Sequence, residues 1–215
     1  MQLYQKYRPK RPAELVGHAE AKKRLAALIG RDGFDRGAFL ISGPSGTGKT
    51  TLAYILANGI CKAETWNIQE LDGPKCTVRA VEDVERDFAY GAMGASPWKA
   101  VIVNECHAMT AKAVQSWLTL LEKIPGQRLV FFTTTQDIQS GLFGEFSSPF
   151  ASRCYCLALH KDKAFAEALA VRAREIAQAE HLDGAPIEAY RALIAKHDCN
   201  FRHALNEIEQ GVMRP

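Results

Sequence analysis

The chain has 215 residues, enough for one large or two small domains with a sizeable core. Its net charge of +3 is too small to mark a nucleic-acid binder by charge alone. No apolar run approaches the roughly 18 residues of a membrane span, and the N-terminus MQLYQKYRPKRP lacks the apolar core of a signal peptide. Six cysteines (Cys61, Cys76, Cys106, Cys154, Cys156, Cys199) are scattered without a C-x-x-C pair. That usage fits reduced thiols in a cytoplasmic protein without a membrane partner. Cys154-x-Cys156 reads as alternation along a strand rather than as metal ligation.

In chain order, the first clear element is the apolar run Phe39–Ile41, a strand, which leads into a glycine-rich loop and then a helix-compatible run from Thr51 to Ala57. A second strand is expected over Thr65–Leu71. A helix follows near Arg79–Ala89, with Val81, Val84 and Phe88 on one face. Ala100–Val103 is a continuous apolar run, as in a strand buried on both faces. Thr110 caps a helix in which Val114, Trp117, Leu118 and Leu121 keep i, i+3, i+4, i+7 spacing, and Pro125-Gly126 ends it. Leu129–Phe132 and Tyr155–Leu159 read as two more strands. From about Lys161 only helices are expected, with stripes at Phe165, Leu169, Ile176, then Ile187, Tyr190, Leu193, Ile194, then Phe201, Ala204, Leu205, Ile208. The alternation of strand and helix predicts an α/β fold with a parallel sheet over residues 1–159, followed by a small three-helix domain over 160–215.

The loop Gly43-Pro44-Ser45-Gly46-Thr47-Gly48-Lys49-Thr50 is a complete G-x-x-x-x-G-K-T phosphate loop with a strand before it and a helix after it. Backbone N–H groups in such a loop point inward and cradle phosphate, aided by the positive end of the following helix. Lys49 reaches the β- and γ-phosphates, and the Thr50 hydroxyl holds Mg²⁺. The chain is therefore expected to bind a nucleoside triphosphate with Mg²⁺.

Further chemistry is expected at the carboxyl ends of the buried strands. After Val101-Ile102-Val103 stand Asn104-Glu105-Cys106-His107. A polar group here organises Mg²⁺ and its waters, and a carboxylate orients the attacking water. Glu105 suits the second task. Asn104 is a neutral amide where such ATPases usually carry Asp, so it would reach Mg²⁺ through water. His107 either orients Glu105, signals to a neighbour or is an ordinary loop histidine. Thr133-Thr134-Thr135 ends the next strand, where a hydroxyl can meet the γ-phosphate or simply suit a strand. Spacing alone singles out neither Arg153 nor Arg202.

Taken together, these segments resemble an AAA+ ATPase of the DNA clamp-loader group, similar to the bacterial gamma/tau subunit and to replication factor C small subunits. The resemblance runs from Tyr7 to about Gln210. It begins with Lys6-Tyr7-Arg8-Pro9 and Leu15-Val16-Gly17-His18, continues through GPSGTGKTT, Glu70-Leu71-Asp72, Val81-Glu82-Asp83 and Val103–Thr110, and closes with Ser152-Arg153-Cys154 and Asn200–Leu205. It implies an adenine pocket at Tyr7, Arg8, Pro9, Val16 and Gly17, and adds Thr51 to the nucleotide contacts. Glu105 would polarise the hydrolytic water, Thr134 would sense the γ-phosphate, and Arg202 on the lid would touch it. Arg153 would act as an arginine finger in an adjacent subunit's site, which implies a homo- or hetero-oligomer. The implied partners are a sliding clamp and primer–template DNA. Lys75 and Arg79 stand where DNA contacts would sit, and equally read as solvated charges.

The chain departs from the resemblance in four places. Asn104 replaces Asp. The four-cysteine zinc module of gamma/tau is absent. The stretch 138–148 is longer than usual, and the chain ends at Pro215 without the helical collar of clamp loaders. Asn104 keeps open the alternative of a structural ATP-binding subunit with little hydrolysis. Another AAA+ ATPase of DNA repair or replication restart is the second alternative, against which the Ser152-Arg153-Cys154 triplet argues.

Overall fold

The computed structural model describes residues 2–30, 32, 34–60, 62–136, 144 and 147–214. Five strands, β1 (Arg36–Ser42), β2 (Ile68–Asp72), β3 (Lys99–Asn104), β4 (Arg128–Thr134) and β5 (Tyr155–Ala158), form one parallel sheet in the order β2-β3-β4-β1-β5. Parallel strands need helical crossovers, which cover both faces of the sheet. The central strands are accordingly apolar in their middle and buried almost throughout: β4 is buried at all seven positions and β3 at its first five.

Side-chain alternation divides the core in two. Ala38, Leu40, Val101, Val103, Val130 and Phe132 face α4 (Val78–Ala89) and α5 (Ala111–Glu122), where Val84, Phe88 and Trp117 meet them. Phe39, Ile41, Ala100, Ile102, Leu129 and Phe131 face α2 (Ala19–Ile29) and α3 (Lys49–Tyr54). Thr77 and Thr110 cap α4 and α5 by accepting from the N–H groups of Ala80 and Ala113. No helix among the described residues is long and apolar enough to cross a membrane.

The sequence reading does not include α2, and two of the elements that it does include differ in their bounds. The chain over Thr65–Asn67 is a 3-10 turn, and β2 begins only at Ile68. The cause is non-local: the Asn67 amide gives a hydrogen bond to Met93 O and accepts one from Met93 N–H, so the chain turns before the sheet edge. The helix after the phosphate loop starts at Lys49 and widens into a π-helical segment over Ile55–Ile60. The five described cysteines carry free thiols, Cys154 and Cys156 among them. Cys61 and most of the 138–148 stretch lie outside the described residues.

A short α6 (Ser147–Ser152) precedes β5, and α7 (Lys163–Ala179), α8 (Ile187–Lys196) and α9 (Phe201–Glu209) follow it. Phe165, Leu169, Ile176, Tyr190, Leu193, Leu205 and Ile208 build a third cluster. Leu3 of the N-terminal α1 (Leu3–Lys6) is buried in that cluster, and Tyr4, Tyr7 and Val16 pack against it. Beneath the sheet, the buried Arg128 guanidinium donates to Phe88 O, Tyr90 O and Pro97 O, tying the end of α4 to the start of β3.

Arg128→Met would strand three carbonyls. It is expected to destabilise the protein by on the order of 2–4 kcal/mol. The urea midpoint should fall with an unchanged slope, and a midpoint equal to that of the parent chain would refute this role.

Candidate nucleotide-binding site

The phosphate loop joins β1 to α3, and three of its glycines have positive φ: Gly43 (149°), Gly46 (82°) and Gly48 (91°). Two are also sterically required. A Cβ on Gly43 would come within 2.4 Å of Leu159 O, and one on Gly46 within 2.8 Å of Asn200 Cα. The loop is thus wedged between the end of β5 and the N-cap of α9. Lys49 is 7% exposed, and its ammonium donates to Gly43 O (2.8 Å) and Pro44 O (3.0 Å). Burial lowers its pKa, and Glu105 opposes that shift by attraction. Thr47 donates to Pro44 O. Ser45 is exposed, and Thr51 is half-buried in α3.

Strand register brings the other polar groups to the loop. Ser42 is opposite Thr134 and Val103 opposite Phe132, so Asn104 arrives beside Thr133. Asn104 Oδ1 accepts from Thr50 Oγ1 at 2.9 Å and from Thr133 Oγ1 at 3.0 Å. Its Nδ2 donates to Glu70 on β2. Oxygen donors of this kind, a hydroxyl and an amide carbonyl side by side, suit a hard cation such as Mg²⁺.

Glu105 has left-handed backbone (φ 50°), and Gly73 packs so closely that a Cβ there would lie 2.1 Å from Glu105 O. Its carboxylate accepts from Thr135 Oγ1 at 3.3 Å and lies 3.5 Å from His107 Nδ1. Thr134 is fully buried; its hydroxyl accepts from Gln136 N–H and is 3.1 Å from His107 Nδ1. The threonines that spacing left undecided are therefore built into the site, and His107 bridges Thr134 and Glu105.

The remaining expected residues fall into three groups. Around the loop, His18 Nε2–H donates to Thr47 O (2.9 Å), while Gly17 (φ 66°) lies flat under Phe165, whose ring would be 2.6 Å from a Cβ. Val16 packs with the third cluster, and Tyr7 donates its hydroxyl to Glu180 at the end of α7. Pro9 is half-buried, and Arg8 stacks on Tyr54 of α3 with its guanidinium 4.6 Å from the ring centroid. Arg202 is in the first turn of α9, two residues from the cap beside Gly46, and lies over the Tyr4 ring at 5.2 Å. Arg153 stands apart. It donates to Pro149 O, pairs with Glu122 of α5, and lines a cleft with Arg36, Gly37 and Ala38 at the start of β1. Gly43 is five residue steps along from Ala38, roughly 16 Å. Lys75 pairs with Asp72 at 3.3 Å, and Arg79 is exposed in the first turn of α4.

Sequence reading alone overlooked Tyr54 and the part played by Glu70. Glu70 accepts from both Tyr54 OH (2.7 Å) and Asn104 Nδ2. The available signal was an acidic residue inside a strand that pairs directly with Ala100–Asn104.

Residues 39–154 match the family model described as "ATPase family associated with various cellular activities (AAA)". Among characterised proteins, the chain is 29% identical over 211 residues to the replication factor C small subunit of Halobacterium salinarum, covering 95% of this chain and 61% of that protein. It is 32% identical over 162 residues to the DNA polymerase III subunit gamma/tau of Mycobacterium bovis, covering 63% of this chain and 27% of that protein. Among solved structures, it is similar to the Thermotoga maritima RuvB Holliday junction branch migration motor, with a TM-score of 0.72 and 23% identity over 94% of this chain and 64% of that one. That likeness shows a common fold. The chain spans less than two thirds of the length of each of these relatives.

Burial holds the His18 imidazole below its usual pKa; Lys22 and His160 push the same way, while the bond to Thr47 O and the charge of Asp162 oppose. A lowered folded pKa means that stability is complete above the unfolded value of about 6.5 and is lost as pH falls through that value toward the folded one. Between pH 7.5 and 5.5 the parent chain should lose more stability than His18→Asn, which keeps a residue tolerant of left-handed backbone. Equal losses in urea titrations at the two pH values would sink this assignment.

Proposed function

Because the chain belongs to the ATPase family associated with various cellular activities (AAA), we propose that it is a clamp-loader-like subunit. In this reading it binds ATP with Mg²⁺ and hydrolyses it in an oligomer. It couples that cycle to loading a sliding clamp onto primer–template DNA in the cytoplasm.

One observation carries the reading: Lys49, Thr50, Asn104, Glu105, Thr134 and the first turn of α9 converge on the loop, while Arg153 sits at the far end of β1. A cation roughly 16 Å from its own loop along the strand has a catalytic use only in another subunit's site. The similarity to a replication factor C small subunit along 95% of the chain supports the clamp-loading part.

In this reading Lys49 and the loop N–H groups hold the β- and γ-phosphates, and the glycines at 43, 46 and 48 let the backbone approach them. Thr50 Oγ1 and, through water, Asn104 Oδ1 hold Mg²⁺, which neutralises phosphate charge when bound. Glu105 accepts the proton of the attacking water at its carboxylate, oriented by Thr135 and His107. Thr134 and Arg202 contact the γ-phosphate from the sheet and from the lid. The lid of this reading comprises residues 160–215, and α1 is docked on it, because Leu3, Tyr4 and Tyr7 pack there. Tyr7 and Val16 pack on the helical cluster and Gly17 lies under Phe165, and in this reading the adenine is bound by Tyr7, Arg8, Pro9, Val16 and Gly17. Arg153 of a neighbouring copy or paralogue neutralises the transition state, and Lys75 and Arg79 meet the DNA backbone through non-specific, salt-sensitive attraction.

A second reading, a subunit that binds ATP with little turnover, is favoured by the neutral amide of Asn104. DNA-stimulated turnover separates the two. Glu105→Gln is expected to keep nucleotide affinity and lose about 10²–10⁴ in kcat. Arg153→Ala should bind ATP normally and lose about 10³-fold or more in kcat, with activity falling further than dilution when it is mixed with the parent chain. Absence of turnover with clamp and primed DNA present at low salt would reject the hydrolysing clamp loader in favour of the structural subunit.

A further inference from the structure

Position 104 presents a problem that its hydrogen bonds answer. An asparagine amide has an oxygen at one end and two N–H donors at the other, and either end can face a threonine hydroxyl. Only the oxygen is useful toward a cation. Here Oδ1 faces both Thr50 and Thr133, while Nδ2 faces Glu70. An ionised carboxylate only accepts, so the Glu70 end of the contact admits nitrogen and rejects oxygen.

Glu70 is itself held in place. Its second oxygen accepts from Tyr54 OH at 2.7 Å. Burial, then the bond to Glu70, pushes the Tyr54 pKa up to about 12, so the phenol stays a donor. Tyr54 closes the helix that begins at Lys49, and Arg8 covers its ring. Side chains from β2, β3, β4 and α3 thus form one continuous set: Tyr54, Glu70, Asn104, Thr50 and Thr133. The carboxylate is exposed, so it acts through the directed hydrogen bond rather than through its distant field.

We propose that Glu70 is a positioning residue for the metal site. It fixes the Asn104 amide with oxygen toward the cation and lends that amide the negative charge which position 104 lacks. The inference rests on the reading that the loop binds a nucleotide with Mg²⁺. It implies that the identities of residues 70 and 104 are coupled. An aspartate at 104 would have no N–H to give Glu70, so the bond that orients the side chain could not form.

The test uses the full chain with ADP and Mn²⁺ as the spectroscopic probe. Electron paramagnetic resonance measures Mn²⁺ affinity, and ADP affinity is measured separately in EDTA. Glu70→Ala should leave metal-free ADP binding unchanged and weaken Mn²⁺ by about tenfold or more, the usual scale for losing an outer partner of a metal ligand. Glu70→Gln, which can still accept from Asn104, should lose less. Asn104→Asp should bind Mn²⁺ more tightly in the Glu70→Gln background than with Glu70 present, a sign that a merely structural glutamate would not produce. If Glu70→Ala fails to fold, that comparison of Asn104→Asp in two backgrounds decides alone. Equal Mn²⁺ affinity for Asn104→Asp with either residue at 70, or unchanged affinity in folded Glu70→Ala, overturns the proposal. Failure of the parent chain to bind ADP in EDTA, or binding unaffected by Lys49→Ala, would overturn the underlying reading instead.

Discussion

Three buried parallel strands that end at one level set the chemistry of this chain. Hydrogen-bond ladders fix β1, β4 and β3 side by side, with Ser42 opposite Thr134 and Val103 opposite Phe132. Both faces of these strands are packed with aliphatic and aromatic side chains. Polar side chains therefore gather at the carboxyl edge, where the sheet meets solvent. Register brings Asn104, Thr133 and Thr134 to one level, and the loop leaving β1 carries Lys49 and Thr50 to meet them. A slip of one residue in β3 would turn Asn104 to the other face and break its bonds to Thr50 and Thr133.

That edge also explains which parts of the fold were legible in the sequence. Central strands announce themselves as unbroken apolar runs, and α4 and α5 by helical spacing with a threonine cap. The phosphate loop is readable because its steric demands are local: glycine at 43, 46 and 48, then Lys-Thr opening a helix. What was not legible depends on partners far along the chain. The start of β2 is set by Asn67 meeting Met93 across 26 residues. The role of Glu70 depends on Asn104, 34 residues on. The docking of α1 on the last helices, where Leu3 N–H reaches Glu209 across 206 residues, leaves no trace in any local window.

Glu105 shows local cost and non-local support acting together. Left-handed backbone is unfavourable for a residue with a Cβ, by about 1 kcal/mol or more. Gly73 makes room for it, because only a residue without a side chain can approach Glu105 O so closely. The chain just after β2 is therefore packed on the backbone of Glu105. Residues 73–75 cannot shift toward β3 without displacing it, so the segment carrying Lys75 and the residue proposed to activate water are mechanically joined.

The division of charges follows from the same geometry. A loop bracketed by Leu159 and Asn200 has the sheet on one side and the N-terminus of α9 on the other. Arg153, the cation proposed to serve a second site, is held at the opposite end of β1 by Pro149 O and Glu122. Such an arginine is useless to its own loop, because the strand between them is rigid. Its pairing with an exposed glutamate is weak enough to exchange for a stronger anion, since surface ion pairs contribute only about 0–1 kcal/mol. In the proposed reading, a chain built this way binds a nucleotide by itself, and a neighbour supplies the arginine for the transition state.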